Sequence, residues 1–195
     1  QEADPGSLRS GFTNQTHYLA QRAGFTYWSH QPNRRVGGVA SSANGLLSRL
    51  EPVRTADHSL PGRIKGRGVL LAHFGDDRQG LTVAVAHLSL GAKSRHAQLS
   101  FIAEVLQDHP NALLMGDFNC LPDQPEMEVL YRNTGERPPE CQVPTFPSWK
   151  PARAIDHILV SGDLKCLGTR AVAAAFSDHL ALAMEVEVPE TALRS

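Results

Sequence analysis

The apolar run Leu113-Leu114-Met115 ends in Gly116-Asp117-Phe118-Asn119, so a buried segment delivers a carboxylate and a carboxamide to its own end. Side chains alternate along an extended chain, which places Asp117 and Asn119 on one face, two residues apart. The carboxylate suits a hard cation or a water molecule, and the carboxamide can donate an N–H to a phosphoryl oxygen. Gly, Asp and Asn are also ordinary turn residues, so the segment takes its meaning from its companions. Ala154-Ile155-Asp156-His157-Ile158-Leu159-Val160 sets a second acid inside a β-branched run. Ala175-Phe176-Ser177-Asp178-His179 sets a third just ahead of the run Ala183 to Val188, and Leu81 to Ser89 carries His87 near its end. An acid inside an apolar strand is costly unless it is paired or bound to a cation. Repeated three times in a small domain, the pattern points to a shared site rather than to folding alone.

These residues need elements to position them, and the chain alternates in a way that suggests strands layered with helices. The spacing predicts a helix over 7–23 with Gly24 as its stop, then a short strand from Gly24 to Trp28. Gln31 to Ser42 is polar and Gly-rich and reads as a loop. Leu46-Leu47-Ser48 and Gly68 to His73 read as strands, joined by the basic stretch Arg54 to Arg67. Asp76 to Gly80 is a hairpin turn into the strand 81–87. Ala97, Phe101, Ile102, Val105 and Leu106 lie on one face of a helix over Ala92 to Gln107, which Pro110 and Asn111 end. Leu113 starts the next strand. Pro122 to Lys150 reads as a long loop with a short helix near Glu126 to Arg132.

The order His87-Leu88-Ser89, Gly116-Asp117-Phe118-Asn119, Ile155-Asp156-His157-Ile158-Leu159-Val160-Ser161 and Ser177-Asp178-His179 resembles the endonuclease/exonuclease/phosphatase superfamily. That group includes deoxyribonuclease I, apurinic endonucleases, neutral sphingomyelinases and inositol polyphosphate 5-phosphatases. Gln1-Glu2 is similar to the Gln-Glu of the family, and Asn44-Gly45-Leu46-Leu47-Ser48-Arg49 is similar to its Gly-Asn-x-Ile-Leu-Ser-Arg block. The resemblance implies a deoxyribonuclease I-like, four-layered α/β sandwich of two packed mixed sheets with outer helices. It implies Mg²⁺ or Mn²⁺, with Glu2 as the principal ligand and Asp178 on the metal side. It also implies that Asp117 activates water, that Asn119 and His87 contact the phosphate, and that His179 acts as base or phosphate stabiliser beside a carboxylate. Asp156 is the firmer His-orienting residue, although the division between Asp156 and Asp178 stays open. Asn44 and Arg67 are expected to bind phosphate. His157 falls on the opposite face by alternation and is left out of the set. Family members begin with an Asn-bearing strand and a helix; the expectation here is one domain over residues 1–195 without that opening segment.

With 195 residues and an ordinary apolar fraction, the chain is long enough for a core without staples. Three cysteines, Cys120, Cys141 and Cys166, do not make a disulfide framework. No run of about 20 apolar residues offers a membrane span, and a cytoplasmic monomer is expected. Zinc is the weaker metal, because the nine histidines form no His-x-x-x-His pair and no Cys-x-x-Cys is present. A net charge of −1 gives no long-range pull on a polyanion, and Arg63, Lys65 and Arg67 are the local basic cluster. The substrate is therefore expected to be a phosphate ester of nucleic acid, phospholipid or small-molecule origin. A binding domain that keeps the fold without catalysis is the alternative class.

Overall fold

The computed structural model describes residues 1–36, 40–62, 66–173 and 177–193. Nine strands and three α-helices are found among these residues: α1 (Gln15–Ala23), β1 (Tyr27–Val36), β2 (Ala40–Ser48), β3 (Arg54–Ser59), β4 (Gly68–Phe74), β5 (Leu81–His87), α2 (Ala92–Leu106), β6 (Asn111–Asp117), α3 (Glu128–Asn133), β7 (Asp156–Val160), β8 (Lys165–Val172) and β9 (Ala181–Glu187). The central sheet runs β3-β4-β5-β6-β7 and is antiparallel except for the parallel pair β5–β6, whose crossover is α2. β1–β2 and β8–β9 are separate antiparallel hairpins.

Alternation along the central strands explains the layers. Val69, Leu71, Ala84, Ala86, Leu114 and Leu159 point to one face, where they pack with Leu99, Ile102 and Leu106 of α2 and Leu130 of α3. Leu70, Ala72, Phe74, Val85 and Val160 point to the other, toward Leu46 of β2 and Met184 and Val186 of β9. With both faces covered, β4 is buried along its whole length and reads as a continuous apolar run. α1 packs outside β1–β2, so closely that a Cβ on Gly45 would sit 2.8 Å from the Thr16 hydroxyl. Helices, sheet, hairpins and α1 thus make the expected four layers. The second β-layer, among the described residues, is two hairpins rather than one continuous mixed sheet. Val83, Leu113 and Met115, which face it, stay half-buried.

Several elements differ from the sequence reading. The helix expected over 7–23 is a 3₁₀ turn, Leu8–Ser10, followed by the shorter α1. Gly11 and Phe12 both have positive φ and break the run, and the Asn14 side chain then caps the His17 N–H. Much of the stretch taken as a loop, Gln31 to Ser42, forms the two arms of the β1–β2 hairpin, with Gly37 to Val39 outside the described residues. The basic stretch contains β3, an edge strand whose alternate residues face solvent. Edge strands carry charge readily, so β3 shows no apolar signature. Arg63 and Lys65 of the basic cluster, and Ala175 and Phe176, lie outside the described residues. The buried face of α2 is centred on Arg95, Gln98 and Leu99, and Ala97 is exposed. Arg95 bonds the Glu126 carboxylate at 2.5 and 2.8 Å, while Gln98 joins Ser89 to the Pro61 carbonyl. Full pairing is what allows such side chains inside.

Candidate active site

Strand register brings the chemistry together. β5 pairs in parallel with β6 so that His87 faces Asp117, and β6 pairs antiparallel with β7 so that Asp117 faces Asp156. Three residues from three distant motifs therefore form one row at one edge of the sheet. His87 Nε2 is 3.3 Å from an Asp117 oxygen, and its Nδ1 is 3.9 Å from Glu2. His179, from the segment before β9, reaches the row from outside: its Nδ1 is 2.7 Å from Asp156 Oδ2. Ligand atoms of Asp117, Asp156 and His179 all lie within 4.8 Å of one another.

Gly116 is required where it stands. Its φ is +147°, and a Cβ there would come within 1.8 Å of the Ala86 carbonyl oxygen. The space above it is filled by Gln1, whose amide donates to the Ala86 carbonyl and accepts from the Asp117 N–H at 2.9 Å. Glu2 follows at φ +54°, with an exposed side chain at the rim of the row. Asn119 departs from the expected strand geometry. β6 ends at Asp117, and Asn119 returns beside it through a left-handed turn, a conformation Asn tolerates. Its backbone N–H donates to Asp117 Oδ1 at 2.8 Å, and its amide donates to the Leu88 carbonyl at 2.9 Å and to Asp117 Oδ2 at 3.3 Å. Asn119 braces Asp117, and its amide hydrogens are engaged by the protein.

Electrostatics separates the two principal groups. Burial pushes the Asp117 carboxyl up, but His87, the Asn119 N–H and His179 together outweigh it and hold its pKa below the ordinary value. For His179 burial pulls down, but the bonded Asp156 and the charges of Asp117 and Asp178 win, raising its pKa. The pair is therefore biased toward carboxylate and imidazolium.

Other expected members sit differently. Asp178 is exposed, and its carbonyl accepts the Ser148 N–H at 2.7 Å; its side chain is not among the three grouped ligands. The geometry thus groups Asp117, Asp156 and His179, with Glu2 beside His87, and gives Asp156 the His-orienting contact. Asn44 needs correction as a phosphate ligand. It is fully buried, and its amide donates to the carbonyls of Gly68 at 2.9 Å and Val85 at 3.3 Å, pinning β2 onto the central sheet. Arg67 is half-buried just before β4, where its carbonyl accepts the Leu60 N–H. His157 is buried on the other face as expected, with Nε2 2.8 Å from the Cys120 carbonyl. Burial pushes the Cys120 thiol up to about 12, which fits packing and not nucleophilic attack.

Thr145 was missed as a site residue. It is fully buried, and its hydroxyl donates to the same Asp156 oxygen that holds His179. Its carbonyl also accepts the Leu180 N–H, so it ties the His179 segment to β7. Phe146, next to it, packs on the His179 ring at 4.8 Å. A Thr in a Pro-rich loop carries no periodic signal, so nothing in the sequence marked it. A hollow of about 960 Å³ between residues 137–141 and the β8–β9 hairpin is lined by none of the row residues.

The family model described as Endonuclease/Exonuclease/phosphatase family matches residues 1–179. The chain belongs to this family. Solved structures agree in fold. A conserved protein of unknown function from Enterococcus faecalis V583 is 21% identical at a TM-score of 0.71, covering 89% of this chain and 81% of that one. A family protein from Bacteroides thetaiotaomicron is 17% identical at 0.69, covering 90% and 80%. The mannosyl-6-phosphatase Bt3783 of B. thetaiotaomicron VPI-5482 is 16% identical at 0.66, covering 89% and 81%. No curated protein matches the sequence. Among the described residues, no helix is long and apolar enough to cross a membrane.

Proposed function

We propose that this chain is a divalent-metal-dependent phosphoesterase that hydrolyses a phosphate ester by attack of an activated water. The observation that carries the reading is the row His87–Asp117–Asp156 completed by His179. Two carboxylates within 4.8 Å of each other carry like charge in a partly buried site, an arrangement a cation relieves. The oxygen-rich donor set, with Glu2 at its rim, suits Mg²⁺ or Mn²⁺. Asp156 and Glu2 would hold the ion, which would neutralise phosphoryl charge and stabilise the leaving oxygen. Asp117, kept ionised, accepts a hydrogen bond from the attacking water and takes its proton. His179, held by Asp156 and biased toward imidazolium, donates Nε2–H to a phosphoryl oxygen. His87 and Asn119 fix the Asp117 carboxylate. Asp178 would be a further metal contact and Arg67 a further phosphate contact.

Membership in the endonuclease/exonuclease/phosphatase family, with a fold shared with a mannosyl-6-phosphatase, supports phosphate esters as substrates. The test is hydrolysis of p-nitrophenyl phosphate and its bis ester with Mg²⁺, Mn²⁺ or EDTA, then of a sugar phosphate, plasmid DNA and a phospholipid. Asp117→Asn and His179→Ala should each slow turnover at least about a hundredfold. Folded variants with parental rates would remove the proposed site. No hydrolysis of any substrate by the folded parent would favour a binding domain.

A further inference from the structure

The central sheet carries a second polar cluster at its opposite end. Arg54, His73 and Thr82 form one cross-strand row over β3, β4 and β5, and His109, after α2, closes over it. Thr82 and His87 lie five positions apart on β5, roughly 17 Å along the strand. A groove of about 300 Å³ lies here, floored by Ala56, Leu71 and Val105 and bordered by Arg54, His58 and His109.

The hydrogen bonds in this cluster run in one direction. A carbonyl can only accept, so the Asp76 oxygen, 2.9 Å away, fixes a proton on His73 Nε2. With the ring proton on Nε2, the other nitrogen, Nδ1, accepts, and the Thr82 hydroxyl 2.9 Å away gives its proton. Thr82 Oγ1 therefore accepts from His109 Nδ1–H at 2.8 Å. His109 is left with Nε2 as a lone-pair acceptor that has no hydrogen-bond partner among the described residues. Burial, with the Arg54 guanidinium nearby, lowers the His109 pKa against the smaller opposite pull of Asp108, so the acceptor persists at neutral pH. Among the described residues, Arg54 pairs only with an exposed Asp77, at 3.7 Å, a contact worth little.

A metal ion fits poorly, because both His73 nitrogens are engaged and a guanidinium stands beside the remaining ones. A ligand that accepts from Arg54 and also donates to His109 fits well. The monoanion of an organic phosphate does both: its one remaining P–OH, which ionises near pH 6, donates, and its other oxygens stay anionic. We propose that this groove binds the monoanion of a phosphate monoester or of a phosphonate with a small apolar body, its head between Arg54 and His109 and its body on Ala56, Leu71 and Val105. The site is separate from the catalytic row and does not depend on the catalytic reading.

Phenylphosphonate, which is not hydrolysed, is the probe, and benzoate, which lacks the second proton, is the control. Imidazole resonances of the full chain are followed by NMR during titration, in the parent, Arg54→Gln and Asp117→Asn. Phenylphosphonate should shift His109 and His73, bind at least about tenfold more tightly than benzoate, lose at least about tenfold in affinity in Arg54→Gln, and bind unchanged in Asp117→Asn. Shifts confined to His87 and His179, equal affinity in folded Arg54→Gln, or equal binding of benzoate would each overturn the proposal. Arg54 is an exposed edge-strand residue, so its replacement leaves the fold intact; Arg54→Lys, which keeps the charge, should recover part of the binding.

Discussion

Glu136 offers a test of the fold that is independent of catalysis. It follows α3, is 3% exposed, and neither carboxyl oxygen has a hydrogen-bond partner among the described residues. Burial pushes its pKa up to about 8, against a weaker downward pull from Arg137. That guanidinium is engaged elsewhere, by the carbonyls of Gly162 and Leu164. A carboxyl with a raised folded-state pKa costs stability wherever the unfolded chain has ionised and the folded one has not. The cost is absent below the ordinary value of 4.5, grows as pH rises, and is complete above about 8. Between pH 5 and pH 9 the change integrates to about 4 kcal/mol. Glu136→Gln abolishes this titration while keeping shape, so its stability relative to the parent should rise by about 4 kcal/mol over that interval. Urea unfolding of both chains at several pH values measures the double difference, in which every other titrating group cancels. Parallel profiles, agreeing within about 0.5 kcal/mol, would show that the carboxyl is paired or solvated and would refute the argument.

Thr145→Val should lower kcat about tenfold with little change in KM and move the alkaline limb of the pH profile downward. The reason is that a less firmly held Asp156 supports the His179 imidazolium less well; Thr145→Ser should restore both, and an unmoved limb would make Thr145 merely structural. Arg95→Met should destabilise by about 3–5 kcal/mol in urea melts because Glu126 is left buried without its partner. Arg95→Met with Glu126→Leu should recover most of that loss. Glu2→Gln should weaken Mg²⁺ binding in calorimetry by removing one formal charge, and unchanged affinity would place Glu2 outside the ligand set.

The parts legible in the sequence share a physical cause. β4, β5, β6 and β7 are covered on both faces, so they write themselves as apolar runs, and a polar residue at the end of such a run stands out. His87, Asp117 and Asp156 were visible for that reason. What stayed hidden was apolar-poor or irregular. β3 lies at an edge, and β8 alternates between exposed and half-buried positions with Lys165 and Arg170 on its open side. α2 hides an Arg and a Gln on its inner face, where Glu126, Ser89 and Pro61 satisfy them from far along the chain. Pattern alone assigns such residues to solvent.

The site shows the same division at closer range. Alternation placed Asp117 and Asn119 on one face of a strand, and they do meet, but through a turn. Gly116 marks where the regular strand must give way, because the Ala86 carbonyl and Gln1 crowd its Cα from above. The chain then reverses at Asn119, whose side chain closes on Leu88, the residue after His87. The motif Gly-Asp-x-Asn is thus a device for ending β6 while locking its last carboxylate to the end of β5. Asn44 teaches the converse. Its place in a family-like block suggested a ligand, yet full burial spends its donors on the carbonyls of Gly68 and Val85. Residue type proposes a chemistry, and register with burial decides whether the group can reach a substrate.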